Sequence, residues 1–238
     1  MPPEFADFDT RQYPTVATRD GYAEWAATYE AAVLDEMDQR LLDRLKAVTW
    51  TDIDRAIDLG CGTGRNGGWL RRAGVAHIDG IDLTPEMLRV AAKKSVYETL
   101  HTADIADTGL DSAAYDLAIV SLVDEHVAEL SPLYRESARL IRAGGLMILI
   151  GYHPQFIMAS GMPTHFHREG GDAIAITTHI HLLSDHVRAA TSAGMSLVAM
   201  DESIVDESWI AKKPKWQRYR GQPISFLFCW RKAKSPPR

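Results

Sequence analysis

Apolar positions along this chain follow two different periods. From Asp20 to Glu30 and from Asp35 to Val48 they recur three and four residues apart, which predicts two helices, the first aligning Tyr22, Trp25 and Tyr29 on one stripe. An aromatic stripe at this spacing is core in most helices, and Trp25 is assigned to core. From Arg55 onward short apolar runs alternate with amphipathic stretches, predicting strands at 55–59, 76–82, 98–104, 115–121, 145–151, 196–203 and 224–232. Strand and helix in alternation call for a parallel sheet with helices on both faces. The last two strands follow one another without a helix, so the seventh is expected to run antiparallel. Thr84-Pro85-Glu86 and Ser131-Pro132 read as helix starts, each a capping residue followed by proline in the first turn.

The 32 residues from 152 to 183 interrupt this rhythm between the fifth strand and a helix opened by Ser184. Ordinary connections in such folds take about 2–6 residues. The insertion is expected to be a lid, with Ala173 to His181 returning as a hairpin around Gly170-Gly171. One domain spanning residues 1–238 is expected, with an N-terminal helical cap over 1–50 and the lid insertion over 152–183.

Composition narrows the partners. At 46% hydrophobic residues the chain supports one sizeable core, and a net charge of −6 supplies no general basic field for nucleic acid. The two cysteines, Cys61 and Cys229, do not suggest a disulfide scaffold. With no signal-peptide pattern and no apolar run of about 18 residues, a soluble cytoplasmic protein is expected.

Chemistry concentrates in Ala56-Ile57-Asp58-Leu59-Gly60-Cys61-Gly62-Thr63-Gly64-Arg65, where a strand enters a turn with glycine at every second position. Glycine admits positive φ and brings bare backbone close to a ligand beside the free N–H groups of the next helix. Gly62, Gly64 and Gly67 also satisfy the dinucleotide pattern G-x-G-x-x-G. A carboxylate at Asp58 would repel a pyrophosphate and attract the ammonium and sulfonium of S-adenosylmethionine. Asp82, ending the second strand, suits a ribose diol in either case.

A seven-stranded α/β sheet with a reversed last strand and Asp-Leu-Gly-Cys-Gly-Thr-Gly on its first turn resembles the class I S-adenosylmethionine-dependent methyltransferases, over roughly residues 20 to 233. The resemblance implies a Rossmann-like fold, S-adenosylmethionine as cofactor, S-adenosylhomocysteine as product, and a small-molecule substrate. It implies that Gly60, Cys61, Gly62 and Gly64 approach the methionine part, that Asp82 takes the ribose hydroxyls, and that Leu83 and Met87 flank the adenine. Asp104 with Ile105 matches the position that meets the adenine amino group, and Ser121 a point where backbone meets cofactor. Tyr22 or Tyr29 would close over the cofactor, as aromatics of N-terminal helices do in small-molecule members.

Methyl transfer to oxygen, nitrogen or carbon needs a base only where the acceptor must lose a proton, and histidine serves near neutral pH. His126, just past the fourth strand, is the first candidate and His153, after the fifth, the second. His165 with His167 and His179 with His181 share strand faces, but a two-residue turn at Gly170-Gly171 sets the pairs on opposite faces, and no metal is assigned. The connector between strands six and seven carries Trp209, Lys212, Lys213, Lys215, Trp216, Arg218, Tyr219 and Arg220, either a solvated loop or an attractor for an acidic substrate. No Asn/Asp-Pro-Pro-Tyr element follows the fourth strand, which counts against amino-directed nucleic-acid methylation. Two other readings stand beside methylation: a nicotinamide-dependent oxidoreductase and a non-catalytic S-adenosylmethionine-binding protein.

Overall fold

The computed structural model describes residues 3–33 and 37–234. The chain opens with a two-residue strand β1 (Thr15–Val16), then α1 (Thr18–Trp25), α2 (Tyr29–Ala32) and α3 (Gln39–Arg44). The single helix expected over 20–30 is broken: Thr28 N–H donates to the Trp25 carbonyl at 3.0 Å and closes α1. The bend sets the Trp25 and Tyr29 rings edge to face at 4.9 Å, so tertiary packing overrides local periodicity. The helix expected over 35–48 reduces to α3, and residues 34–36 lie outside the described residues.

The alternating part follows as β2 (Arg55–Leu59), α4 (Arg65–Ala73), β3 (His77–Asp82), α5 (Pro85–Ala92), β4 (Thr99–Thr102), β5 (Tyr115–Ser121), α6 (Leu130–Leu140) and β6 (Ile141–Tyr152). The insertion contributes α7 (Pro154–Ser160), β7 (His165–His167) and β8 (Ala173–Ile176). Then come α8 (Leu183–Ser192), β9 (Met195–Ile204), α9 (Glu207–Lys212) and β10 (Pro223–Lys232). Helix α6 starts at Leu130 and α8 at Leu183, each ahead of the serine expected to cap it. At α8 the Asp185 carboxylate accepts the Leu182 N–H at 2.8 Å, a capping contact that replaces the serine.

Seven strands form one sheet in the order β4-β3-β2-β5-β6-β10-β9, with β10 antiparallel to both neighbours as expected, although the connector between β9 and β10 is not free of helix but holds the short α9. All seven residues of β5 are buried, as expected of a central strand covered on both faces. Alternation along β10 sends Phe226, Phe228 and Trp230 into one core layer with Ile57, Leu59 and Tyr134. Leu227 and Cys229 enter the other with Trp69 and Leu70. β2 and β5 are the adjacent strands from which the order runs outward in both directions, and the crevice at their carboxyl ends is where such sheets bind ligands.

A second sheet, β1-β8-β7, lies outside this frame. β7 and β8 form the hairpin within the insertion, and β1 joins β8 in parallel, Thr15 opposite Ala175. The hairpin loop is one residue longer than the two-residue turn expected, since Arg168 N–H bonds the Asp172 carbonyl at 2.9 Å. That register would bring the two histidine pairs to one face, but β8 ends at Ile176, before His179 and His181. His179 N–H instead donates to the Glu125 carbonyl and the His181 ring meets the Val127 carbonyl at 2.8 Å. Among the described residues no three or more His, Cys, Asp or Glu side chains converge as metal ligands, and no helix is long and apolar enough to cross a membrane.

Candidate functional site

The glycine turn is held by backbone and one carboxylate. Gly60, Gly62 and Gly64 have φ of 73°, 52° and 86°, a region in which a side chain is strained. The N–H groups of Gly60 and Cys61 both donate to the Ile81 carbonyl at 2.8 Å, folding the turn back onto the end of β3. There the half-buried Asp82 accepts the Gly62 N–H through Oδ2 and the Thr84 N–H through Oδ1, both at 2.8 Å. A Cβ at Gly60 would lie 2.6 Å from Val123, whereas one at Gly62 would meet nothing within 4 Å. The turn therefore has a packed underside and an open cradle at Gly62 beside a carboxylate, which suits a nucleoside carrying hydroxyl donors. Gly67 has a different purpose, since a Cβ there would sit 2.4 Å from the Tyr97 ring.

Asp58 is not at the surface of this cradle. It shares its strand face with Ala56, beneath α4, and is fully buried; the Tyr97 hydroxyl donates to Oδ2 at 2.7 Å and Oδ1 has no partner. Burial pushes its carboxyl up to about 7. Of the two carboxylates it is Asp82, not Asp58, that stands at the rim of the cradle. Cys61 is likewise buried packing, its thiol pushed well up by burial.

The remaining positions around the turn fall in different environments. Leu83 is 43% exposed while Met87 is buried in α5. Asp104 is exposed, its Oδ1 accepting the Ala106 N–H at 2.8 Å, beside buried Ile105. The Ser121 hydroxyl, at the end of β5, donates to Asp38, which also pairs with Arg65 at 3.0 Å. Arg65 directly follows the last glycine of the turn, so this pair ties the turn to the N-terminal segment, a link that spacing alone did not reveal.

Tyr22 and Tyr29 face one another with ring centroids 6.0 Å apart. Burial, then the neighbouring Tyr29, Glu125, Tyr152 and Asp82, holds the Tyr22 hydroxyl proton well above its ordinary range. The side chain of His126 is buried with both ring nitrogens occupied: Nδ1 is 2.8 Å from the Thr177 carbonyl and Nε2 2.8 Å from the Tyr22 hydroxyl. A carbonyl only accepts, so Nδ1 carries the proton and, in the neutral ring, Nε2 accepts from Tyr22. His126 thus joins the sheet, the insertion and the N-terminal segment, and reaches the crevice only through Tyr22. His153 is engaged elsewhere. Its Nδ1 accepts the Gln155 N–H at the start of α7 and its Nε2 meets Glu202 at 2.9 Å. It does not line the cavity between the N-terminal helices and the insertion.

Beside Trp25 and Glu125 lies a cavity of about 500 Å³ between the N-terminal helices, the insertion and the basic connector. Trp25, Phe156, Phe166, Trp209 and Trp216 give it aromatic walls. Of the connector's cations only Lys213 and Lys215 line it; Arg220 pairs with Glu207, and Arg218 lies over the Tyr219 ring at 4.7 Å. Glu125 also lines it, 2% exposed, with Oε2 lacking a partner. Burial pushes its carboxyl up to about 7. Its place directly before His126, at the end of β5, was the only sequence signal for it.

Residues 57–149 match the profile of the methyltransferase domain family. An uncharacterized methyltransferase of Emericella nidulans is 26% identical over 83% of this chain and 82% of its own length. A trans-aconitate 2-methyltransferase of Rhizobium rhizogenes is 30% identical over 52% of this chain, and the chain spans about half (49%) of that relative's length. A solved S-adenosylmethionine-dependent methyltransferase from Mesorhizobium loti superposes with a TM-score of 0.60 at 22% identity, over 90% of this chain and 99% of that one, and so shares the fold. These matches decide between the two nucleoside readings of the glycine turn against the nicotinamide one. Residues 57–149 thus carry a methyltransferase domain, and the chain as a whole has the fold of a solved S-adenosylmethionine-dependent methyltransferase.

Proposed function

We propose that this methyltransferase acts on a small organic molecule, at oxygen, nitrogen or carbon, bound in the aromatic cavity lined by Trp25, Phe166 and Trp216. The observation that carries this reading is the cavity itself, about 500 Å³ and directly beside the end of β5. That volume suits a metabolite rather than a folded protein or a nucleic-acid duplex. When bound, the cofactor supplies a methyl group on a positively charged sulfur. Gly60, Cys61, Gly62 and Gly64 would lie along its methionine part, Asp82 would accept from the ribose hydroxyls, and Leu83, Met87, Asp104 and Ile105 would bound the adenine. Tyr22 and Tyr29 cover the crevice and keep water out. Lys213 and Lys215 favour an acceptor with an acidic group.

His126 serves this reading as the group that orients Tyr22, not as a base in contact with substrate. Calorimetry of the full chain should show uptake of S-adenosylhomocysteine but not of NAD. Incubation with methyl-labelled cofactor and a metabolite extract should then label a small acidic compound. Absence of S-adenosylhomocysteine uptake by folded protein would overturn the cofactor roles, and label only in protein or nucleic acid would overturn the substrate class.

A further inference from the structure

The cavity lining is chemically divided, and burial sorts it. Glu125, which lines the cavity, is almost wholly enclosed: the Thr164 hydroxyl donates to its Oε1 at 3.5 Å, and its Oε2 has no hydrogen-bond partner. A buried carboxyl oxygen without a partner costs about 1–3 kcal/mol or more, and native structures leave few of them. At the outer wall stands His165, whose imidazole is pushed down by burial and then by the nearby His167, Lys215 and Arg11. Lys215, Arg11 and His167 are exposed, and Lys215 and His167 line the cavity together with His165. Trp25, Phe166 and Trp216 form the wall between.

Resting on the reading of this cavity as the acceptor site, we propose that it takes a molecule with a hydroxyl or amine at one end, which donates to Glu125 Oε2. An apolar middle would lie against the aromatic wall, and a carboxylate or other acidic group would face His165 and Lys215. The ligand thereby satisfies an oxygen that has no hydrogen-bond partner, while its acid meets Lys215, one of the two lysines that line the cavity. A molecule lacking the donor leaves that oxygen buried and unpaired, so the site discriminates by a polar group rather than by a methylene.

The test uses the full chain saturated with S-adenosylhomocysteine and three probes titrated by calorimetry: 3-(4-hydroxyphenyl)propanoate, 3-phenylpropanoate and 4-propylphenol. The first is expected to bind about tenfold more tightly than either of the others, since each of those loses one end. An aminomethyl analogue of the first tells an ammonium from a hydroxyl at the inner end. Glu125→Leu should bring the hydroxylated acid down to the affinity of 3-phenylpropanoate, and Lys215→Glu should abolish its advantage over 4-propylphenol. If Glu125→Leu does not fold, Glu125→Gln carries the same test. The neutral amide accepts a weaker bond, so the hydroxylated acid should lose about fivefold and 3-phenylpropanoate nothing. Probes that bind within twofold of one another, fail to bind, or keep their ranking in both variants overturn the proposal. Failure to take up S-adenosylhomocysteine would instead sink the cofactor reading beneath it.

Discussion

The glycine turn and the cavity across from it differ in how much of the chain each requires. Residues 58 to 64 with Asp82 complete the first inside a single strand–turn–helix–strand unit, through backbone N–H groups and one carboxylate. The cavity draws on Trp25, Glu125, Phe166 and Trp216, which meet only because a two-residue strand pairs with another about 160 positions later. A ligand held by backbone constrains local sequence. One held by side chains from distant segments constrains the fold that assembles them. The first region is therefore expected to be rigid and common to many enzymes, the second separable and free to differ between them.

The largest effect that would sharpen this contrast comes from Gly60→Val. The substitution forces a β-branched side chain into positive φ and into Val123. It should remove S-adenosylhomocysteine binding by about a hundredfold or more in calorimetry and lower the melting temperature. Retained affinity would show that the packed underside of the turn is not needed. On the other side, Trp25→Ala removes a buried ring stacked at 5.8 Å on Phe166, a loss of about 3–5 kcal/mol for a fully packed site. If the two regions are separable, hydrogen exchange should rise across 165–176 while the amides of β2 and β5 stay protected. Equal loss in both would break the comparison.

Smaller is the effect of pH on Asp58. Its pKa moves from the ordinary 3.8 to about 7 on folding, so within that window the native state holds a proton the unfolded chain has released. Stability therefore falls as pH rises from about 4 to 7. Asp124 and Glu125, raised to about 6 and 7, act in the same direction. Asp58→Asn should flatten the melting-temperature profile across this range, and an unchanged slope would place the buried charge elsewhere. Smallest is Arg168→Ala, which breaks an exposed pair with Glu24 between the insertion and α1. Solvent screens such pairs, and no shift in melting temperature is expected. A clear shift would mean that the cap is held by charge rather than by Trp25 and Phe166.

This contrast also explains what could be read from the chain. The seven strands were legible because short apolar runs between amphipathic stretches are local signals, and β10 runs antiparallel as expected even though the short α9, hidden in a basic connector, precedes it. The glycine turn was legible for the same reason. The face on which Asp58 lies was not, because Tyr97, 39 positions away, covers it. The candidate bases were found by position, but their ring partners are the Thr177 carbonyl and the Glu202 carboxylate, which no spacing in the chain connects to them. Glu125 went unread because an acidic residue beside a histidine gives no sign of being enclosed.

The pairing of β1 with β8 has a practical corollary. β8 is a largely buried, apolar strand, Ala-Ile-Ala-Ile, whose second edge pairs with the β1 segment, the Ala175 N–H donating to the Pro14 carbonyl and the following Thr177 N–H to the Val16 carbonyl. A shortened form starting beyond residue 17 would bare that edge as a template for other chains, so trimming the front of this enzyme to aid crystallisation should yield aggregates rather than a tidier monomer.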